Sequence, residues 1–318
     1  MHLLAAPDKF RGTLTAREAA TAIAVGATRA GWTAAESPLA DGGEGTLDVL
    51  GGGNRRTVVT GPLGKPVEAE WRLEEDGTAI VEAALACGLA LAGGPERNDP
   101  LGATSRGVGE LVAAAIDEGA TRAIIAVGGV ASTDGGVGAL DALPRPLSIS
   151  LEVAHDVDAR FLEAADVFAP QKGATPEQVA ILRERLEKLV VPDVAGAGAA
   201  GGLAGGLAAI GARLLPGFDF VADRLGLDEQ LAQADLVVTG EGLLDATSFT
   251  GKVVGRVLRR AELADVEALV VAGDVALCNP ADARSLVARY GPERALAEPA
   301  ECLSELVEIV LASRRSAP

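Results

Sequence analysis

The run Asp235-Leu236-Val237-Val238-Thr239-Gly240-Glu241-Gly242 decides the fold. Its apolar, β-rich residues predict a strand buried on both faces, ending in a tight polar loop. A helix is predicted from near Lys252, and a second such strand, Glu267 to Ala272, ends in Gly273-Asp274. A last helix is expected over about 301–311. The beginning of the chain repeats this grammar. Leu3 to Ala6 is a short strand, and Thr15 opens a helix with Glu18 placed for a capping box. Ala20, Ile23, Ala24 and Ala27 form its apolar stripe. A second strand, Ser37 to Ala40, runs into Asp41-Gly42-Gly43-Glu44-Gly45, and Thr46 is positioned to cap the next helix. Strands alternating with helices in this way build a doubly wound parallel sheet.

Between these two ends the pattern changes. Thr57 to Thr60 and Val67 to Leu73 predict a hairpin, and Ala79 to Ala83 a third strand. A helix over 107–118 leads to a buried-type strand, Ala123 to Val127, that ends at Gly128-Gly129. Ile149 to Ala154 is another strand, and Thr175-Pro176-Glu177-Gln178 opens a capped helix. The expected fold class is α/β. An α/β domain of residues 1–55 plus 226–318 is interrupted by an inserted mixed α/β domain of residues 56–225.

Charge narrows the function. Lys and Arg number 28 against 45 Asp and Glu, a net charge of −17. That excludes a general nucleic-acid or anionic-membrane binder, which needs a basic field, but not a local site for a small anion. Cys87, Cys278 and Cys302 are too scattered for a disulfide framework, and His2 and His155 give no zinc spacing. The uncharged stretch from Val194 to Ala212 is mostly Ala and Gly, which favours close helix packing over a membrane span. The start of the chain does not read as a targeting segment. A soluble cytoplasmic protein is expected, without nucleic-acid or membrane partners, and a homo-oligomer is compatible with the sequence.

The chain has 40 glycines among 318 residues, well above the usual share of about 7%. They cluster where strands end, beside charged residues: Asp8-Lys9, Asp41 to Glu44, Gly128-Gly129 with Ser132-Thr133-Asp134-Gly135-Gly136, Glu241, and Gly273-Asp274. Ligands of open α/β sheets bind beyond the carboxyl ends of strands, and glycine lets backbone N–H groups approach a phosphate. Any one of these loops reads first as an ordinary turn. Their recurrence is what favours a site. No P-loop exists, because Ala246 stands where its first glycine belongs and Val253 follows Lys252. Gly196, Gly198 and Gly201 match the dinucleotide spacing but lack a proper preceding strand, so the NAD reading is weak. Gly251-Lys252, at a helix start, suits an anion. His155, beside Asp156 and Asp158, reads equally as a site residue and as a structural histidine. Carboxylates, lysines and arginines around glycine loops suit phosphoryl transfer: carboxylates hold Mg²⁺, cations steady phosphate oxygens, and an aspartate takes the hydroxyl proton.

Seven blocks in order carry a resemblance. They are Ala6-Pro7-Asp8-Lys9-Phe10-Arg11-Gly12-Thr13-Leu14, Pro38-Leu39-Ala40-Asp41-Gly42-Gly43-Glu44-Gly45, Thr104-Ser105-Arg106-Gly107 with Gly109-Glu110-Leu111, and Gly128 to Gly136. Ala169-Pro170-Gln171-Lys172-Gly173-Ala174-Thr175, Gly196 to Gly202, and Thr239-Gly240-Glu241-Gly242 to Gly251-Lys252 complete the set. Together they resemble the bacterial glycerate kinase family over almost the whole chain. The resemblance implies an ATP- and Mg²⁺-dependent kinase acting on the small molecule D-glycerate to give a phosphoglycerate. It also implies a flavodoxin-like doubly wound parallel sheet interrupted by an inserted mixed-sheet domain, with a cleft between them. The chain departs from the family by a shortened segment between Gly136 and His155, by His155 where the family often has Cys, and by Leu243-Leu244-Asp245 after Glu241. The shortening raises the alternative of a non-catalytic nucleotide- or metabolite-binding relative.

On this reading Lys9 and Arg11 take the glycerate carboxylate or the transferred phosphoryl group, unless they only cap or solvate the following helix. Asp8, Asp41 and Asp134 rank first as hydroxyl base or metal carboxylate, with Asp41 and Asp134 the metal candidates. Glu44, Ser132, Thr133, Glu241 and Asp245 are expected around substrate and nucleotide. Lys172 and Lys252 are expected on nucleotide phosphates. Gly198 and Gly201 line the nucleotide path or serve helix packing.

Overall fold

The computed structural model describes residues 1–10, 12–249, 252–276 and 283–315. Eleven strands occur among these residues: β1 (His2–Ala5), β2 (Thr33–Glu36), β3 (Arg55–Thr60), β4 (Pro66–Leu73), β5 (Thr78–Glu82), β6 (Arg122–Ala126), β7 (Ser150–His155), β8 (Arg213–Pro216), β9 (Leu236–Leu244), β10 (Glu267–Val275) and β11 (Arg284–Ser285). They form two sheets, and the chain divides into two compact units, residues 1–41 with 221–318 and residues 42–220. The sequence placed these divisions at 55 and 225.

The first unit carries the sheet β2-β1-β9-β10-β11, with every pair parallel. Counted in the order of its own strands, this is 2-1-3-4-5, the flavodoxin order. Leu3, Ala5, Val238, Leu269 and Val271 face a core shared with Ile23 of the helix Ala16–Arg29 and with Leu303 and Val307 of the helix Pro299–Arg315. Leu244 and Ala272 pack instead with Val254 of the helix Val253–Leu263. Each fully buried Leu, Ile or Val contributes about 1.5–3 kcal/mol relative to exposure. The first helix starts as its sequence dictates. The Thr15 hydroxyl accepts from Glu18 N–H at 3.2 Å, and the Glu18 carboxylate accepts from Thr15 N–H at 2.8 Å.

One strand sits earlier than expected. β2 is Thr33–Glu36, whereas residues 37–40 form no ladder of their own. They still run alongside β1: Ser37 N–H donates to Ala5 C=O at 2.8 Å and Leu39 N–H to Pro7 C=O at 2.9 Å. On the other side, Ala6 N–H donates to Val238 C=O and Asp8 N–H to Gly240 C=O. The segment from Ala6 to Asp8 is thus held from both flanks beyond the end of β1.

The second unit carries the sheet β3-β4-β5-β6-β7-β8. β3, β4 and β5 pair antiparallel, and β5 to β8 pair parallel. Trp71, Val81, Ile125 and Val153 form a core with Leu111 of the helix Arg106–Asp117 and Leu203 of the helix Leu203–Ala209. The shortened segment keeps a complete crossover, with the helix Val137–Ala142 between the parallel neighbours β6 and β7. β8, a four-residue edge strand ending in Pro216, is too short to show a period in the sequence. Residues 42–54 belong to this unit because Glu82, the last residue of β5, accepts from Gly45 N–H at 3.1 Å and Leu47 N–H at 3.0 Å. The expected Thr46 cap is replaced by this carboxylate. Gly45 is the N-cap, and the Thr46 hydroxyl donates to Gly43 C=O at 2.8 Å. Among the described residues, no helix is long and apolar enough to cross a membrane.

Candidate active site

In a 2-1-3-4-5 sheet the order of connection reverses between the first and third strands, here β1 and β9. The bond from Asp8 N–H to Gly240 C=O, at 2.9 Å, crosses that point. Phe10, 1% exposed, pins the loop beyond it by exchanging backbone bonds with Leu14. Asp8 is itself buried, and its carboxylate accepts from Lys9 N–H at 2.7 Å. Burial, then the charge of Asp41, then that of Glu241 push the Asp8 carboxyl up to about 7, against the pull of Lys9. Glu241, just past Gly240, is also raised, chiefly by burial, while Ser248 and Lys252 draw it back. One Glu241 oxygen, Oε1, is buried without a hydrogen-bond partner.

The first unit therefore brings together Asp8, Lys9, Asp41, Glu241 and Lys252. Asp245 lies beside them with another duty. Its carboxylate accepts from Thr247 N–H at 2.7 Å and Ser248 N–H at 3.2 Å, capping the turn Ala246–Phe249. Those donors, with the Thr247 hydroxyl, hold Asp245 below the usual carboxylate range. Lys252 is the N-cap of the helix Val253–Leu263. Arg11 and Gly251 lie outside the described residues.

The second unit assembles its own loops. Gly129 has φ +64, and a Cβ there would overlap the Glu44 carboxylate, so Glu44 reaches over a glycine that no larger residue can replace without displacing it. Asp134 is built into the scaffold. One of its oxygens accepts from Ser105 N–H at 2.9 Å, Ser105 Oγ at 2.8 Å and Gly138 N–H at 3.2 Å, and the other from Gly136 N–H at 3.1 Å. Ser105 Oγ in turn accepts from Ala139 N–H at 3.1 Å. These donors tie Asp134 to the scaffold mainly through one oxygen, while the other takes the Gly136 bond.

Ser132 and Thr133 are buried, and the Ser132 hydroxyl has no hydrogen-bond partner. Lys172, 5% exposed, donates from Nζ to Ser132 C=O at 2.6 Å. The expected contact with a nucleotide phosphate is set against this backbone bond and a second neighbour, Thr133 Oγ1, at 3.5 Å. The glycine-rich stretch packs on the same loops: Gly135 N–H donates to Gly201 C=O at 3.1 Å, and Gly198 N–H donates to Ala159 C=O at 2.9 Å. Gly198 and Gly201 thus serve close packing. No strand precedes them, which removes the dinucleotide reading. His155 Nδ1 pairs with Val157 C=O at 2.9 Å, and burial lowers its pKa.

Among the described residues, no three His, Cys, Asp or Glu side chains come together as a metal-binding group. Asp41 belongs to the first unit and Asp134 to the second. Sequence reasoning missed Glu82 and Ser105, which hold the two loops. Glu82 had a visible signal, as a carboxylate closing the apolar run Ala79-Ile80-Val81.

Comparison with known proteins matches the chain to the profile described as the glycerate kinase family, over residues 3–145 and 144–310. The chain belongs to the glycerate kinase family. It is 38% identical to a glycerate kinase of Haemophilus influenzae, with 86% of each chain covered. It is 37% identical to a glycerate 2-kinase of Escherichia coli, with 80% of each covered. A crystal structure of a putative glycerate kinase 2 from Salmonella typhimurium superimposes with a TM-score of 0.83 at 34% identity, covering 99% of this chain and 98% of that one. The two matched stretches of the family profile meet at residues 144–145, inside the segment that the sequence reads as shortened.

Proposed function

We propose that the protein is an ATP-dependent glycerate kinase that transfers the γ-phosphoryl group of ATP to a hydroxyl of D-glycerate. The observation that carries this reading is the pairing of buried Asp8 with Asp41 and Lys9 at the β1–β9 switch point. Membership of the glycerate kinase family supports the substrate.

In this mechanism the Asp8 carboxylate takes the hydroxyl proton. A base with a pKa near the working pH is the most effective, and Asp41 and burial bring Asp8 there. The freed alkoxide oxygen bonds to the γ-phosphorus, the bond to the β–γ bridging oxygen breaks, and ADP leaves. Lys9 faces the glycerate carboxylate or the transferring phosphoryl group. Lys252 and Glu241 stand on the nucleotide side. Glu44, Ser132 and Thr133 are the second unit's candidates for contacts to substrate or nucleotide. Mg²⁺ bound with ATP would neutralise phosphate charge. The name of the Escherichia coli relative favours the 2-hydroxyl.

A coupled assay with purified protein, ATP, Mg²⁺ and D-glycerate tests the reading, and phosphorus NMR of the product identifies the hydroxyl. Turnover is expected for the wild type and is lost in Asp41→Asn. Absence of turnover with D-glycerate and every other small hydroxy acid sinks the proposal.

A further inference from the structure

We propose that Lys172 is a positioning residue for the transfer reaction: it holds the Ser132–Thr133 loop from beneath and touches neither substrate nor nucleotide. This inference rests on the kinase reading above and deepens it.

Lys172 ends the short 3₁₀ turn Pro170–Lys172. Its Nζ donates to Ser132 C=O at 2.6 Å and lies 3.5 Å from Thr133 Oγ1. Asn98 ties the two backbones together, with Nδ2 donating to Lys172 C=O at 2.9 Å and to Ala131 C=O at 3.2 Å. Gly201 closes the same space. A Cβ on Gly201 would stand 2.9 Å from Lys172 Nζ and 2.7 Å from Thr133 Cα, and its φ is +67. The ammonium is thus enclosed by the backbone of residues 132, 133 and 201, with no room for a phosphate oxygen. Burying an ammonium is unfavourable unless acceptors surround it. Burial pushes Lys172 down to about 8, and the Asp134 carboxylate and Cys87 thiol nearby pull it back up. The loop's other anchors are Ala131 N–H to Cys87 C=O and the Asp134 bonds to Ser105. Lys172 is the only cation among these ties, and it acts on two residues expected around substrate or nucleotide.

Lys172→Met is the test, read by amide hydrogen exchange and by steady-state kinetics. Exchange over residues 130–136 is expected to speed up about tenfold or more, while β5 and β6 exchange as before. With ATP and D-glycerate, kcat is expected to fall at least about tenfold, with KM for ATP within about threefold. Gly201→Ala pushes the loop from the opposite side, and the two lesions should combine less than additively. Unchanged exchange over 130–136 overturns the proposal. So does a tenfold rise in KM for ATP at constant kcat, which is the signature of a direct phosphate contact. If Lys172→Met does not fold, Thr133→Val removes the side-chain acceptor and is read by exchange, because Thr133 is itself a candidate substrate residue; exchange over 130–136 should speed up, and wild-type exchange there overturns the proposal. A wild type without turnover would defeat the kinase reading, while the exchange measurement would still decide whether Lys172 holds the loop.

Discussion

The two units each contain an aspartate followed by paired glycines, Asp41-Gly42-Gly43 and Asp134-Gly135-Gly136, and they use it in opposite ways. Asp41 ends the first unit's N-terminal segment, and its charge falls on Asp8, raising it. Asp134 receives three backbone N–H groups and a hydroxyl, and it fixes the start of a helix. One tripeptide therefore sits in two electrostatic settings. An acid near other acids shifts proton affinity, whereas N–H groups donated to an acid anchor it.

The strongest way to break that comparison is Asp8→Asn. If Asp8 is the base, kcat should fall by about 10²–10⁴, with the nucleotide still bound. The same change has a signed effect on stability. The Asp8 carboxyl sits at about 7 in the folded chain against 3.8 unfolded, so the folded state holds the extra proton between those values. Its favourable contribution is complete below about pH 4 and is lost as pH rises through 7. At about 1.4 kcal/mol per pKa unit the penalty above pH 7 is at most about 4 kcal/mol. The variant should melt at the wild-type temperature at pH 4 and several degrees higher at pH 8. Wild-type activity should rise with pH below 7 and level off above it. An inactive variant with no stability gain at pH 8 would leave Asp8 catalytic but not poised by burial.

Asp134→Ala should act in the other currency. It strips acceptors from Ser105, Gly136 and Gly138, and each buried donor left alone costs about 1–3 kcal/mol. A loss of about 3 kcal/mol is expected in the unfolding free energy from urea titration, with activity falling in step with the folded fraction. A stable Asp134→Ala protein with a thousandfold lower kcat would put both aspartates in the chemistry and erase the contrast.

These two fates were not separable by reading the chain. The elements were, where apolar period and caps agree: the Thr15 and Thr175 boxes, the hairpin and the βα pattern at both ends all form. The edges were less legible. β2 ends at Glu36 because residues 37–40 continue along β1 without forming a regular ladder, and β8 has too few residues to show a period. The candidate loops were legible at strand ends, because glycine and charge collect there. Which charge meets which is a tertiary fact. Lys172 looks like any phosphate-binding lysine in sequence, and only its burial under Ser132 shows that its ammonium already donates to backbone.

The mildest lesion probes how the second unit holds its part of the Asp41–Gly45 loop. Glu82, 5% exposed, accepts from Gly45 and Leu47 N–H groups that the four-residue helix Thr46–Val49 leaves without internal partners. Glu82→Gln keeps the shape and one acceptor oxygen but replaces the other with a donor facing an N–H group. One bond to a charged acceptor is lost, so the unfolding free energy from urea titration should fall by about 1–3 kcal/mol, with a lower midpoint. Glu44 lies within this loop and packs its carboxylate over Gly129. Loosening the loop should therefore lower kcat/KM for D-glycerate by about three- to tenfold, far less than Asp8→Asn. A wild-type midpoint with wild-type kcat/KM would mean that the loop is held without Glu82. A drop as deep as that of Asp8→Asn would mean that this carboxylate is part of the chemistry, against its hydrogen bonds to backbone.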